Sequence, residues 1–429
     1  MTEVQIVTTP PAIPNKYDII PIHASDIASF KRCRRYWDWT SPTRTNLRRK
    51  VQIYGVNPNL WFGTGIHWAL QMMYDPILQR DPVEAFSTWF ALQWEGGIVR
   101  KDFLDQTYDI NPVEIPVNST EMIGTQYIDA ATGMEVIPDE EKRYRIEGLR
   151  DLLPDPDEEE FFGWRDLGIG MMEFYKGYAA REDNFTVIAA ESTFSVPLGF
   201  EWKDSREESP NYGKMLEVHA RGKRDMIYQH NETLHFGIQD YKTKTKIDDS
   251  YRVSLENDAQ VTTYMWASQE EAKIHDLPYK VIHEAFHQAM RKVYPQPPTP
   301  LKNGLPSLNR TEESATAEMF IDYINEHNLM PIYTNDVKMQ NYYTFLVEEG
   351  DKRFIERNFI PRNQHEIAAT GQHIKAIAWE MLNSPYIYPN PNGDYLCVHC
   401  ALRAPCLAKD DGSDYTAMLK DGYEQNRDR

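Results

Sequence analysis

Leu234-His235-Phe236-Gly237-Ile238-Gln239-Asp240-Tyr241-Lys242 reads as a β-strand, because aromatic and branched residues dominate it and side chains on a strand alternate faces with period two. The alternation puts Leu234, Phe236, Ile238, Asp240 and Lys242 on one face, apolar for three positions and ending in an acid and a base. A carboxylate and an ammonium at the end of a buried face are costly unless paired or metal-bound. Upstream, residues 218–228 read as a second strand and 229–233 as a polar turn. An antiparallel hairpin of the two brings Asp225 beside Asp240. Two carboxylates and a lysine at one end of a sheet suit a divalent-metal site for phosphodiester cleavage. The acids hold the metal, the metal activates water, and the lysine offsets developing negative charge. The plainer reading is an acid–lysine pair on a solvated hairpin.

At 429 residues the chain has room for two or three domains or one elaborated domain, and for a large core. No run of eighteen apolar residues occurs, and no basic region followed by an apolar stretch opens the chain, so the expectation is a cytoplasmic protein without a membrane span. The net charge of −19 argues against a simple nucleic-acid binder. The excess is local, however: between Asp102 and Glu160, 17 Asp and Glu stand against 4 Lys and Arg. The rest of the chain retains scope for a basic groove.

The expected organisation follows the composition. Residues 1–24 read as a proline-marked irregular arm. Residues 25–101 form an N-terminal helical region, beginning with Ser25 as N-cap and Ile27, Phe30, Cys33 and Trp37 at helical spacing. Its basic residues Arg32, Arg34 and Arg35 lie among aromatic rings, a mixture that suits single-stranded nucleic acid but is also a common solvated helix face. In the stretch from Trp61 to Tyr74 the glycines read as a turn into a helix, with His67 in its first turn, a position more often structural than ligating. Residues 102–160 form an acidic insertion. Residues 161–292 hold a helix, a strand containing Glu191, the hairpin, the lysine-bearing loop with Lys244, and a helix on which Gln260 and Tyr264 share a face. His283 and His287 fall on one strand face four residues apart, too far for easy chelation of one ion. Residues 293–390 are a proline-rich connector and helices, and 391–429 a cysteine-bearing segment and tail. No Gly-x4-Gly-Lys-Ser/Thr phosphate loop occurs.

The four cysteines are Cys33, Cys397, Cys400 and Cys406. Four-thiolate coordination selects zinc or an iron–sulfur cluster. Structural zinc usually takes two local ligand pairs, so a three-plus-one split leans towards a cubane cluster; His399 with the C-terminal trio offers a Cys3His zinc site instead.

Taken together, the order of motifs resembles the RecB/AddB-type, iron–sulfur branch of the PD-(D/E)XK nucleases, above all the CRISPR-associated RecB-like exonucleases and their phage-encoded relatives. The matching pieces are Cys33 in its basic-aromatic helix, Gly63-x3-His67, Gly222-x2-Asp225, Asp240-Tyr241-Lys242 followed by Thr243, Gln260-x3-Tyr264, and the C-terminal cysteines. Arg224 stands where the superfamily's name has Pro. The resemblance implies an α/β fold, a restriction-endonuclease-like mixed sheet flanked by helices, with a helical subdomain built from both chain ends around a [4Fe–4S] cluster on the four cysteines. It implies a Mg²⁺ or Mn²⁺ site of His67, Asp225, Asp240 and the Tyr241 carbonyl, and Lys242 as the transition-state or water-orienting base. Gln260 and Tyr264 join the catalytic set, Glu191 is a peripheral candidate, and Arg32, Arg34, Arg35 and Lys244 are weak DNA contacts. The implied activity is a DNA exonuclease on single-stranded ends, working in recombination, repair or CRISPR-related DNA processing, with proteins of recombination or CRISPR adaptation as candidate partners. If phage-encoded, it acts in the cytoplasm of a bacterial host. The alternatives are a nuclease-derived DNA-binding adaptor that no longer cuts, and a zinc-stapled nuclease.

Overall fold

The computed structural model describes residues 19–425 apart from 51–55, 101–112, 116–142 and seven single positions. Residues 1–18 of the expected arm and most of the acidic insertion therefore lie outside the described residues. The end of the arm is strand β1 (Ile19–His23). Helix α1 (Ala24–Arg32) is capped by His23 and Asp26 rather than Ser25. Cys33 adopts an extended backbone, with φ −169° and ψ 122°, and this divides the expected single helix into α1 and α2 (Arg34–Thr40). Strand β2 (Leu47–Arg49) follows.

Helix α3 (Pro58–Tyr74) starts on a proline at its first position, with the Asn57 side chain accepting from the amides of Asn59 and Leu60. Gly63 and Gly65 lie inside this helix instead of forming a turn, and His67 is mid-helix. The reason is tertiary. A Cβ on Gly65 would stand 2.4 Å from the Trp89 ring of α4 (Pro82–Glu95), and one on Gly63 would stand 3.2 Å from Thr243 Oγ1. Beside α4, strands β3 (Gly96–Arg100), β4 (Val113–Ile115) and β5 (Arg143–Glu147) form a small antiparallel sheet, of which β4 and β5 fall within the expected insertion. Helix α5 (Glu158–Glu182) starts within the densest acidic run, where Asp157 caps it and Glu158, Glu159 and Glu160 favour the positive end of the helix dipole.

The main sheet is mixed. The long strands β6 (Phe185–Lys203) and β7 (Met215–His230) are antiparallel. On its other edge β7 meets β1 in parallel and β8 (Phe236–Lys244) antiparallel. Leu234 falls in the turn, at φ 58°, so the strand opens at Phe236, not at Leu234. Helices α6 (Asp249–Glu256) and α7 (Ala259–Ile274) then lead to β9 (Glu284–Arg291), parallel to β8. After α8 (Ala317–Glu326) and α9 (Val337–Glu349), residues expected to be helical form the antiparallel edge strand β10 (Ile355–Phe359). Helix α10 (Gln364–Asn383) carries an Asn363–Glu366 capping box.

Period two divides the core between two layers. Ile227, Ile238, Ala285 and Ala289 pack against α7 and α10, whereas Met226, Tyr228, Tyr241 and Met290 pack against α3, α4 and α5. The sheet is therefore buried on both faces, as parallel and mixed sheets are. The chain ends meet separately. Strand β11 (Tyr423–Gln425) pairs with β2, and Trp39, Leu402 and Tyr423 form a small core beside α11 (Arg403–Asp411) and α12 (Tyr415–Gly422). Among the described residues, no helix is long and apolar enough to cross a membrane.

Candidate active site

Strands β7 and β8 pair from Gln229↔Phe236 to Met226↔Gln239. One step further the Asp225 side chain replaces the backbone partner, and its Oδ2 accepts from the Tyr241 amide at 2.7 Å. On the other side of β7, Ala190 and Ser192 pair with Met226 and Arg224, which sets Glu191 across from Asp225. Glu191 has φ 48°, a left-handed conformation that a non-glycine residue adopts at a cost. Its Oε2 lies 2.7 Å from Lys223 Nζ. From α3, His67 Nδ1 comes within 3.6 Å of both Glu191 Oε1 and Asp225 Oδ2. Among the described residues, His67, Glu191 and Asp225 are the one group of three or more such side chains with ligand atoms all within 4.8 Å of one another.

Asp240 is fully buried one strand away. Its Oδ2 lies 2.7 Å from Lys242 Nζ and 3.0 Å from His287 Nε2, ion-pair contacts rather than aligned hydrogen bonds. Both of its oxygens are buried without an aligned hydrogen-bond partner among the described residues, and the two ion-pair contacts fall on Oδ2. On α7, Gln260 Nε2 donates to the Tyr264 hydroxyl at 2.7 Å.

The electrostatics follow from three acids in a small buried volume. Burial pushes the Asp225 carboxyl up to about 7; Asp240 and Glu191 add to this, and His67 and Lys242 oppose it. Burial would also raise Asp240, but Lys242 and His287 override it and leave that carboxyl at about 2. Burial favours neutral His67, yet Asp225 and Glu191 outweigh it and draw the imidazole towards its charged form. Lys242 is likewise held charged by Asp240 and Asp225 against the cost of burial. The acids thus attract positive charge from every available source, and an imidazole with several carboxylates, one of them carrying an orphaned oxygen, fits a hard divalent cation such as Mg²⁺ or Mn²⁺.

The four residues expected as weak DNA contacts are scattered. Lys244 lies near Lys242, with its ammonium 4.8 Å from the centre of the Tyr251 ring. Arg34 pairs with Glu380 and covers Tyr388, Arg32 covers Tyr36, and buried Arg35 binds Asp410 and Cys406. Cys33, Cys400 and Cys406 belong to the region where the chain ends meet, but the four cysteines are not gathered into one ligand set. Cys406 Sγ instead accepts from Arg35 Nη1 at 3.3 Å. As placed, the thiols do not fit a four-thiolate cluster.

Two further residues of this region, Lys223 and Tyr251, have no role assigned from the sequence, and His287 is considered there only as a chelating partner of His283. Lys223 precedes Asp225 by two residues, and the period-two rule offers a signal for it. Nothing local marks Tyr251 or the pairing of His287 with Asp240.

A family model of the PD-(D/E)XK nuclease superfamily matches residues 135–407, more than half of the chain. The matched span contains Glu191, Asp225, Asp240, Lys242, Gln260, Tyr264 and the three C-terminal cysteines; His67 and Cys33 precede it. No curated protein matches the chain.

Proposed function

The chain belongs to the PD-(D/E)XK nuclease superfamily, and from that premise we propose that it is a metal-dependent DNA nuclease whose centre is built from His67, Asp225 and Asp240, with Glu191 beside them and the Tyr241 carbonyl as a further ligand. The observation that carries this reading is the convergence of His67, Glu191 and Asp225 from one helix and two strands, adjacent to the buried Asp240–Lys242 pair. A bound Mg²⁺ or Mn²⁺ would polarise the phosphate and lower the pKa of a water. The Lys242 ammonium, kept charged by its acids, offsets negative charge developing on the phosphate, and so acts as an electrostatic stabiliser rather than a base. Because Gln260 donates to Tyr264, the phenol O–H remains able to donate to a substrate oxygen. Lys244 is placed to meet the backbone of the bound strand.

End-labelled and circular DNA, single-stranded and duplex, incubated with Mn²⁺, Mg²⁺ or EDTA, test the proposal. Cleavage should require the metal and fall on the order of 10²–10³-fold in Asp225→Asn, Asp240→Asn and Lys242→Ala, the range for loss of one preorganised charge-stabilising group. Cleavage indifferent to EDTA and to all three substitutions overturns the assignment. Metal-dependent attack on linear single strands, with circles intact, supports exonuclease action at ends.

The implied [4Fe–4S] cluster is supported by the Cys397-x2-Cys400-x5-Cys406 spacing and by the meeting of the chain ends, and opposed by the separation of the thiols. Iron and acid-labile sulfide analysis of protein purified without oxygen decides it. Four of each per chain support the cluster, one zinc supports the stapled alternative, and no metal removes both.

A further inference from the structure

The parallel register of β8 and β9 places His287 directly beside Asp240. Only 2% of His287 is exposed, and both ring nitrogens are engaged. Nε2 faces Asp240 Oδ2 at 3.0 Å, while Nδ1 and the Tyr251 hydroxyl are 2.5 Å apart. A neutral imidazole has one donor and one acceptor nitrogen. Facing a carboxylate, Nε2 carries the proton, and Nδ1 accepts from the Tyr251 O–H. Lys242 Nζ contacts the same Asp240 oxygen, Oδ2, at 2.7 Å. Both ion-pair contacts thus fall on Oδ2; neither carboxylate oxygen has an aligned hydrogen bond among the described residues, and Oδ1 is the one turned away from both cations.

We propose that His287, backed by Tyr251, is a positioning residue that fixes Asp240 by its Oδ2 so that Oδ1 is presented to the divalent cation. The proposal rests on the nuclease reading above. Outer-shell partners of a metal-ligating carboxylate fix its orientation, and their loss typically weakens metal binding roughly 10–100-fold. His287 does this from a neighbouring strand of the same sheet, the most rigid support available, and Tyr251 fixes the tautomer from α6.

The test is Mn²⁺ affinity by calorimetry on the full chain, with melting temperature and DNA-cleavage kcat and KM measured alongside. His287→Leu should bind Mn²⁺ roughly 10–100-fold more weakly, lose kcat at limiting metal, regain much of it when Mn²⁺ is raised, and keep its KM for DNA. His287→Gln retains an Nε2 donor and should restore most of the affinity. Wild-type affinity in His287→Leu overturns the proposal. So does equal damage in the Leu and Gln variants with matching losses of melting temperature, which marks a packing role only. Should His287→Leu not fold, Tyr251→Phe carries the test: severalfold weaker Mn²⁺ binding supports the proposal, and unchanged binding overturns it. Wild-type protein that binds no Mn²⁺ removes the nuclease reading and this inference together, whereas normal wild-type binding with a silent His287→Leu removes this inference alone.

Discussion

Asp225 is the residue at which burial and like charge combine most strongly. Its carboxyl rises from 3.8 to about 7, so between those values the folded chain holds a proton that the unfolded chain has released. Stability attributable to Asp225 consequently falls as pH rises through that window, and the full cost is present above it. His67 acts in the same direction. Its raised value gives stability that is complete below 6.5 and lost as pH climbs through the folded-state value. Metal-free protein in EDTA should therefore melt at a lower temperature at about pH 8.5 than at about pH 6, and Asp225→Asn should lose most of that difference. Saturating Mn²⁺ should raise the melting temperature more at the higher pH, because the ion takes the deprotonated carboxylate. An undiminished pH effect in Asp225→Asn, measured by differential scanning calorimetry, would contradict this account.

Among the elements, α3 and α7 carry side chains to the site, and each is anchored by a contact with little tolerance. In α3, Gly65 lets Trp89 lie against the helix backbone. Alanine has the better helix propensity by about 1 kcal/mol, but its methyl meets the body of a fully buried indole, and overpacking costs about 1–3 kcal/mol. Gly65→Ala should accordingly be neutral to destabilising in urea titration; a clear gain in stability would show that Trp89 moves aside freely. Helix α7 is tied to β7 by buried Arg224, which binds Glu271, Ser268 and Ser192. Removing one member of a buried pair leaves an uncompensated charge, at about 3–5 kcal/mol, whereas replacing both with apolar residues is often neutral. Arg224→Ala should show the former loss and Arg224→Met with Glu271→Leu should recover most of it. Equal loss in the single and double variants would contradict the pairing argument.

Over the whole molecule, the sheet supports the site from both faces while the two chain ends close a separate small core. Trp39 and Tyr423 are buried there, and Arg48 pairs with Glu424 across β2 and β11. Deletion of residues 413–429 removes α12 and β11 and exposes Trp39 and Leu402. Burial of a large apolar side chain is worth about 1.5–3 kcal/mol, so the truncated chain should become sensitive to protease within residues 33–50 while retaining Mn²⁺ affinity, since no proposed Mn²⁺ ligand lies in that core. Limited proteolysis with mapped cleavage sites checks the first outcome and calorimetry the second. Loss of Mn²⁺ binding without loss of fold would show that the terminal core reaches the site.

The sequence by itself determined the hairpin, read over residues 218–242, the pairing of Asp240 with Lys242 and the approach of Asp225, because period two and a polar turn act over a few residues. It also determined the face shared by Gln260 and Tyr264, which depends only on helical spacing. It misread Gly63 and Gly65 as a turn, since their reason for being glycine is the approach of Trp89 and Thr243 from elsewhere in the chain. It left Glu191 at the margin, because its φ of 48° is imposed by the strands around it. His287 was set aside as one of two histidines too far apart to chelate together. Its partnership with Asp240 arises only when α6 and α7 close the connection between β8 and β9 and fix their parallel register. Local pattern chose the strands and the acids; long-range packing chose which side chains face one another.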